Sequence, residues 1–328
     1  MKQHVENFTQ HLRTALDISG SSQITSTGQE IKNVLVLGMG GSGIGGSIAA
    51  QVLTDQLSVP VLSSKDYSIP AFVGENTLII ASSYSGNTEE TLIALGKAEK
   101  KTKQIFCICS GGKIQEIANE KGYGCLVIPG GIPPRGAFGY SFPQLFKLLA
   151  INDLIDRDIS SKFTSAIALI DEKEDAVKKE AFEIASRLHN KRIIIYAQSD
   201  YEGVCIRFRQ QINENSKMLC WHHVIPEMNH NELVGWREKS DKLAVVMLRN
   251  HDDFERNQSR MELCKSVMGK YCSNINEIWS EGHNKLERTL YLVHLCDWIS
   301  IYIAELNGTD PVEIEVINYL KGELSKIR

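Results

Sequence analysis

Two stretches of small and hydroxyl residues stand out as places where this chain could hold an anion. The first is Gly38-Met39-Gly40-Gly41-Ser42-Gly43-Ile44-Gly45-Gly46-Ser47, between an apolar run at 34–37 and a helical pattern at 44–53. Glycines let backbone approach a ligand closely, and a helix N-terminus offers free N–H groups and positive potential. Gly38, Gly40 and Gly43 also satisfy G-x-G-x-x-G, a dinucleotide fingerprint. The next run, 59–62, ends in Ser63-Ser64-Lys65-Asp66 rather than in an acidic residue at its tip, which weighs against a dinucleotide, although Asp66 keeps that reading alive. Tight strand-to-helix packing is a third reading of the same glycines.

The second stretch is Ser82-Ser83-Tyr84-Ser85-Gly86-Asn87-Thr88-Glu89-Glu90-Thr91, after the apolar run 78–81. Capping a helix at Asn87 or Thr88, with Glu90 or Thr91 closing a capping box, uses one hydroxyl. Five hydroxyls (Ser82, Ser83, Ser85, Thr88 and Thr91) at the carboxyl end of a strand suit a phosphomonoester dianion instead. The segment 83–91 closely resembles the phosphosugar-binding signature of the sugar isomerase (SIS) domain. That resemblance implies that Ser83, Ser85, Thr88 and Thr91 hold the phosphate of a hexose phosphate and that Gly40, Gly41 and Ser42 line the same pocket.

Aldose–ketose isomerisation then needs a base to carry a proton between neighbouring carbons, a ring-opening group and a cation for the enediolate oxygen. Pro133-Pro134-Arg135-Gly136-Ala137 follows the fifth apolar run, where prolines and glycine fix a loop able to aim Arg135 into a cleft. Asn213-Glu214-Asn215-Ser216-Lys217 ends a helical segment, and Glu214 is a base candidate, although on residue type alone a surface glutamate is the commoner outcome. Pro226-Glu227-Met228-Asn229-His230-Asn231-Glu232 puts His230, a residue type able to protonate a ring oxygen, in a polar loop where a lone histidine is ordinarily surface.

The order of these three segments, with sixteen residues from Glu214 to His230, resembles the bifunctional phosphoglucose/phosphomannose isomerases, two SIS domains in tandem, over essentially the whole chain. The resemblance implies that Glu214 moves the proton between C2 and C1, His230 opens the ring, Arg135 stabilises a cis-enediolate and Lys321 is the C-terminal lysine of the site. It implies glucose 6-phosphate, with mannose 6-phosphate, as substrates, no cofactor or metal, and a homodimer in which His230 completes the partner's site. Competing readings are a non-catalytic SIS-fold sugar-phosphate-binding regulator and a nicotinamide-dependent dehydrogenase.

The elements that must position these residues are legible as short continuous apolar runs. Those at 34–37, 59–62, 78–81, 105–109 and 126–128 read as central strands covered on both faces, with helical segments at 44–53, 88–100 and 114–121 between them. A second set falls at 192–196, 219–225, 243–248 and 274–279, and a helix is expected over 285–306, stopping at Asn307-Gly308. Such alternation predicts an α/β fold, two doubly wound sandwiches with mostly parallel sheets, divided as residues 1–155 and 156–328. The charged run 171–180 reads as a solvated helix face.

With 328 residues the chain is long enough for two cores, and its net charge of −4, with basic residues scattered, gives no footprint for nucleic acid. Eight cysteines without a CxxC pair read as reduced, buried thiols. No apolar run is expected to reach the length of a membrane span and the first residues do not resemble a signal peptide, so the expected location is cytoplasmic.

Overall fold

In the computed structural model, which describes residues 1–327, helices α1 (Lys2–Glu6) and α2 (Phe8–Ser21) precede the first strand. The first half then alternates as β1 (Asn33–Leu37), α3 (Gly40–Val52), β2 (Val61–Ser64), β3 (Thr77–Ser82), α4 (Glu89–Ala98), β4 (Ile105–Cys109), α5 (Gly112–Lys121) and β5 (Gly124–Val127). These strands form one all-parallel sheet in the order β2-β1-β3-β4-β5. Strands β3 and β4 are buried at every position, as continuous apolar runs covered on both faces must be. The strand order reverses between β1 and β3, and the crevice at the carboxyl ends of two such strands is where open α/β sheets bind ligands. Both sequence-predicted anion loops leave those two strands.

A short 3-10 turn, Pro134–Ala137, leads into α6 (Phe138–Ile151) and then the long helix α7 (Ile159–Leu188). The second half runs β6 (Arg192–Gln198), α8 (Glu202–Ser216), β7 (Cys220–Ile225), β8 (Leu243–Arg249), α9 (Glu255–Met268), β9 (Ile275–Trp279), α10 (Lys285–Asn307) and α11 (Glu315–Leu324). Its sheet is also all parallel, in the order β7-β6-β8-β9. The fold class is therefore the expected one, and every apolar run read as a strand is a strand with its ends moved by a few residues.

Three details differ from the sequence reading. The helix expected at 44–53 begins at Gly40, because the glycine run winds directly into α3 behind Met39. Helix α6 carries Pro143 in its interior and is buried along nearly all its length, so it shows no polar face by which to recognise it. Helix α10, contrary to expectation, is long and apolar enough to cross a membrane by length and composition alone, but 83% of its most apolar window is buried inside the protein. It packs against α7 and α8 and carries apolar residues on every side because protein surrounds it.

One apolar cluster runs from β1 and β3 through α6 and α7 to β6, β8 and α10, so the two sheets share a continuous core. All eight cysteines are free; six are buried, and Cys125 and Cys220 are half-buried.

Candidate active site

The hydroxyl loop is a tight turn between β3 and α4. The Gly86 N–H donates to the Ser83 carbonyl (3.0 Å), the Ser110 N–H to the Tyr84 carbonyl (2.8 Å), and the Lys113 N–H to Asn87 Oδ1 (3.0 Å), which ties the loop to the start of α5. Gly86 has φ of 68°, and a Cβ there would lie 1.8 Å from the Gly111 carbonyl oxygen, so only glycine permits this approach. Thr88 stands at the N-cap of α4, yet its hydroxyl makes no cap bond; it pairs with Ser83 Oγ at 2.9 Å. Ser85 Oγ is exposed and accepts from the Asn87 N–H (3.2 Å). Capping thus leaves these hydroxyls at the mouth of α4, whose first N–H groups have no intrahelical acceptor. Thr91 is placed differently: it is 2% exposed on the inner face of α4, with its hydroxyl buried and unpartnered.

The glycine turn meets this loop through Ser42, whose Oγ accepts the Tyr84 N–H at 3.1 Å. Gly40 opens the turn with φ of 49° and free space beside it. Gly41 lies against the 3-10 turn: a Cβ on it would come within 3.3 Å of the Pro134 carbonyl oxygen and 3.4 Å of Arg135 Cα. Tyr84 braces the same region, its hydroxyl accepting the Ile132 N–H (3.0 Å). The sequence reading did not use Tyr84; its only signal was an aromatic inside a hydroxyl-rich loop.

From that turn Arg135 reaches across to α8, and it is only 4% exposed. Its Nη1 donates to Glu214 Oε2 at 3.1 Å, its Nε to Asn215 Oδ1 at 2.7 Å, and its Nη2 to the Pro311 carbonyl. Burial pushes the guanidinium down from its ordinary pKa, while Glu214 and Asp310 pull it back up. The Glu214 side chain keeps 30% exposure, so this ion pair is closed behind the arginine and open on the carboxylate side. Lys217, in a left-handed conformation at the end of α8, donates to the Glu214 carbonyl (2.6 Å) and the Glu313 carbonyl (2.5 Å), fixing the helix end that presents Glu214. Hydroxyl loop, glycine turn, Arg135 and Glu214 therefore form one connected constellation.

Two sequence-predicted residues stand apart from it within one chain. His230 ends a 3-10 turn after β7, is exposed, and among the described residues its side chain makes no hydrogen bond or ion pair. Lys321 is exposed on α11 and is likewise unpaired. No cluster of three or more histidine, cysteine or acidic side chains suited to a metal occurs among the described residues.

Two all-parallel sheets in tandem, with a hydroxyl cradle at the switch point of the first, define the SIS class of phosphosugar-handling proteins. Residues 177–324 match the family described as the bacterial phospho-glucose isomerase C-terminal SIS domain. The chain is 35% identical, over 100% of both chains, to a bifunctional phosphoglucose/phosphomannose isomerase of Caldicellulosiruptor bescii. It is also 35% identical, over 89% of its length and 91% of the relative's, to a D-glucosamine-6-phosphate 4-epimerase of Sulfolobus acidocaldarius. Among solved structures, a putative phosphosugar isomerase from Clostridium difficile aligns with a TM-score of 0.79 at 17% identity, covering 95% of this chain and 94% of the other, which supports the fold. The chain belongs to the bifunctional phosphoglucose/phosphomannose isomerase family.

Proposed function

We propose that this chain is an aldose–ketose isomerase that interconverts glucose 6-phosphate, and mannose 6-phosphate, with fructose 6-phosphate. The observation that carries the reading is the Arg135–Glu214 pair, buried on the cation side and open on the carboxylate side, joined through Gly41 and Ser42 to a hydroxyl cradle. The cradle binds the phosphate through Ser83, Ser85 and Thr88, the N–H groups of α4 and the turn at Gly40, Gly41 and Ser42. With the phosphate held there, His230 donates to the ring oxygen as the ring opens. Glu214 then removes the C2 proton and returns it to C1, while Arg135 stabilises the enediolate oxygen. Three of the five guanidinium N–H groups of Arg135 are engaged in the free protein, which leaves two for substrate.

Lys321 is assigned to the sugar end of the site, and Thr91 to the cradle through a shift of the first turn of α4. The two SIS units are taken as residues 1–155 and 156–328, and the protein as a cytoplasmic homodimer. Exposure of His230, in the turn that follows the edge strand β7, supports delivery of the histidine to a partner's site, and exposed Leu219 and Trp221 at the start of that strand leave apolar surface for a partner.

The test is turnover of fructose 6-phosphate by the purified protein, followed by product analysis that separates glucose and mannose 6-phosphates, with glucosamine 6-phosphate as a second substrate. Glu214→Gln is expected to lose about a hundredfold or more in kcat with KM little changed. An inactive wild-type protein, or a fully active Glu214→Gln, would overturn the reading.

A further inference from the structure

Arg135 is held from behind by a buried polar network that the chemistry itself does not require. Arg207, Gln211 and Asn215 recur every four residues on one face of α8, and all three are buried. Across from them on α10 stand Asp297 and Ser300, also buried. Arg207 Nη2 donates to Asp297 Oδ2 at 2.5 Å, and Gln211 Nε2 to Asp297 Oδ1 at 2.9 Å. Asn215 Nδ2 donates to Ser300 Oγ at 2.9 Å, and Ser300 Oγ in turn donates to the Asp297 carbonyl at 2.7 Å.

Packing α8 on α10 needs none of this, since a buried ion pair is often matched or bettered in stability by apolar side chains of similar volume. What the network does is end twice on one residue. Arg207 Nη2 donates to the Arg135 carbonyl at 3.2 Å, and Asn215 Oδ1 accepts from Arg135 Nε at 2.7 Å. Backbone and guanidinium of Arg135 are thus each gripped from α8. The amide of Asn215 has one useful orientation, because its Nδ2 is committed to Ser300 and only its Oδ1 then faces the arginine.

We propose that Asn215 and Arg207 are positioning residues for Arg135, locked in place by Ser300 and Asp297, and that this lock sets how well the guanidinium meets the enediolate rather than how well substrate binds. This rests on the isomerase reading and adds to it the device that preorganises its cation. The test compares wild type with Asn215→Leu, which removes both bonds; Asn215→Asp, which keeps the acceptor for Arg135 Nε; and Ser300→Ala, a small change that only frees the amide to rotate.

For Asn215→Leu, kcat on fructose 6-phosphate is expected to fall about tenfold or more and inhibition by 5-phosphoarabinonate, whose carboxylate imitates the enediolate, to weaken by a similar factor. KM and inhibition by inorganic phosphate, which report the cradle, stay within about twofold. Asn215→Asp recovers most of the loss, and Ser300→Ala shows a milder version of the same split. Slow exchange of the Arg135 Nε–H, seen by NMR, disappears in Asn215→Leu whatever reaction the protein performs. A folded Asn215→Leu with unchanged kcat, or losses in which phosphate and 5-phosphoarabinonate affinities fall together, overturns the proposal. A wild-type protein whose Nε–H is protected but which turns over no hexose phosphate sinks the isomerase reading and leaves the lock intact.

Discussion

The proposed phosphate cradle, made of neutral hydroxyls and backbone N–H groups, depends on geometry at single residues, because each contributes only a directional hydrogen bond. Thr88 shows the economy of the arrangement: a residue at an N-cap ordinarily spends its oxygen on the helix, and here that oxygen makes no cap bond and pairs with Ser83 instead. The turn between them exists only because Gly86 accepts a left-handed φ and a carbonyl where a side chain would stand. Gly86→Ala is therefore expected to cost about 2 kcal/mol or more from the backbone conformation and the collision together. Chemical denaturation measures this, and inhibition by inorganic phosphate in the surviving folded protein should weaken with it. An alanine variant with wild-type stability and phosphate affinity would show that the loop has another conformation available.

Among the elements, α2 illustrates how a helix outside the sheets supports the site. It packs on α6, and its His11 stacks on Tyr140 at 4.2 Å while lying 4% exposed near the Arg135 turn, with Nδ1 unpartnered. Burial, with a smaller push from His4, lowers the His11 pKa from 6.5 to about 4. The unfolded chain binds a proton at this ring below about 6.5, whereas the folded protein resists it down to about 4, so this stability is fully present above the higher value and is lost as pH falls through the interval. His11→Phe removes the titration and keeps an aromatic ring against Tyr140. Wild type should lose about 2 to 3 kcal/mol relative to His11→Phe between pH 7 and pH 4.5. Buried Asp253, raised to about 6, acts in the opposite direction on absolute stability but is common to both proteins and cancels in the comparison. Parallel pH profiles of the two melting temperatures would remove His11 as the source.

At the scale of the whole molecule, the proposed dimer makes a quantitative claim, because it divides one active site between two chains. Co-expressed Glu214→Gln and His230→Asn subunits, each inactive alone, would then form mixed dimers with one site carrying both defects and one carrying neither. With random pairing, half the dimers are mixed, and activity returns to about a quarter of the wild-type value. Failure of the mixture to recover, with dimers present, would assign His230 to its own chain's site or to no catalytic role. The same scale explains why α10 resembles a membrane span: a shared core under two sheets needs a largely apolar helix, and its buried polar side chains sit where they find partners, Asp297 and Ser300 on α8 and His294 on Glu174 of α7.

Strand positions, the parallel α/β class and the hydroxyl loop were legible from the chain alone, because continuous apolar runs and local turn chemistry depend on neighbours in sequence. So were Arg135 and Glu214 as candidates, through a resemblance carried by short segments. Helix α6 escaped because uniform burial erases the polar face that periodicity detects. The spacing of Arg207, Gln211 and Asn215 was visible, but their burial, their partners on α10 and their convergence on Arg135 were not. Those contacts join residues 72 to 90 positions apart, and a one-dimensional pattern carries no record of which faces meet once two sheets close around a common core.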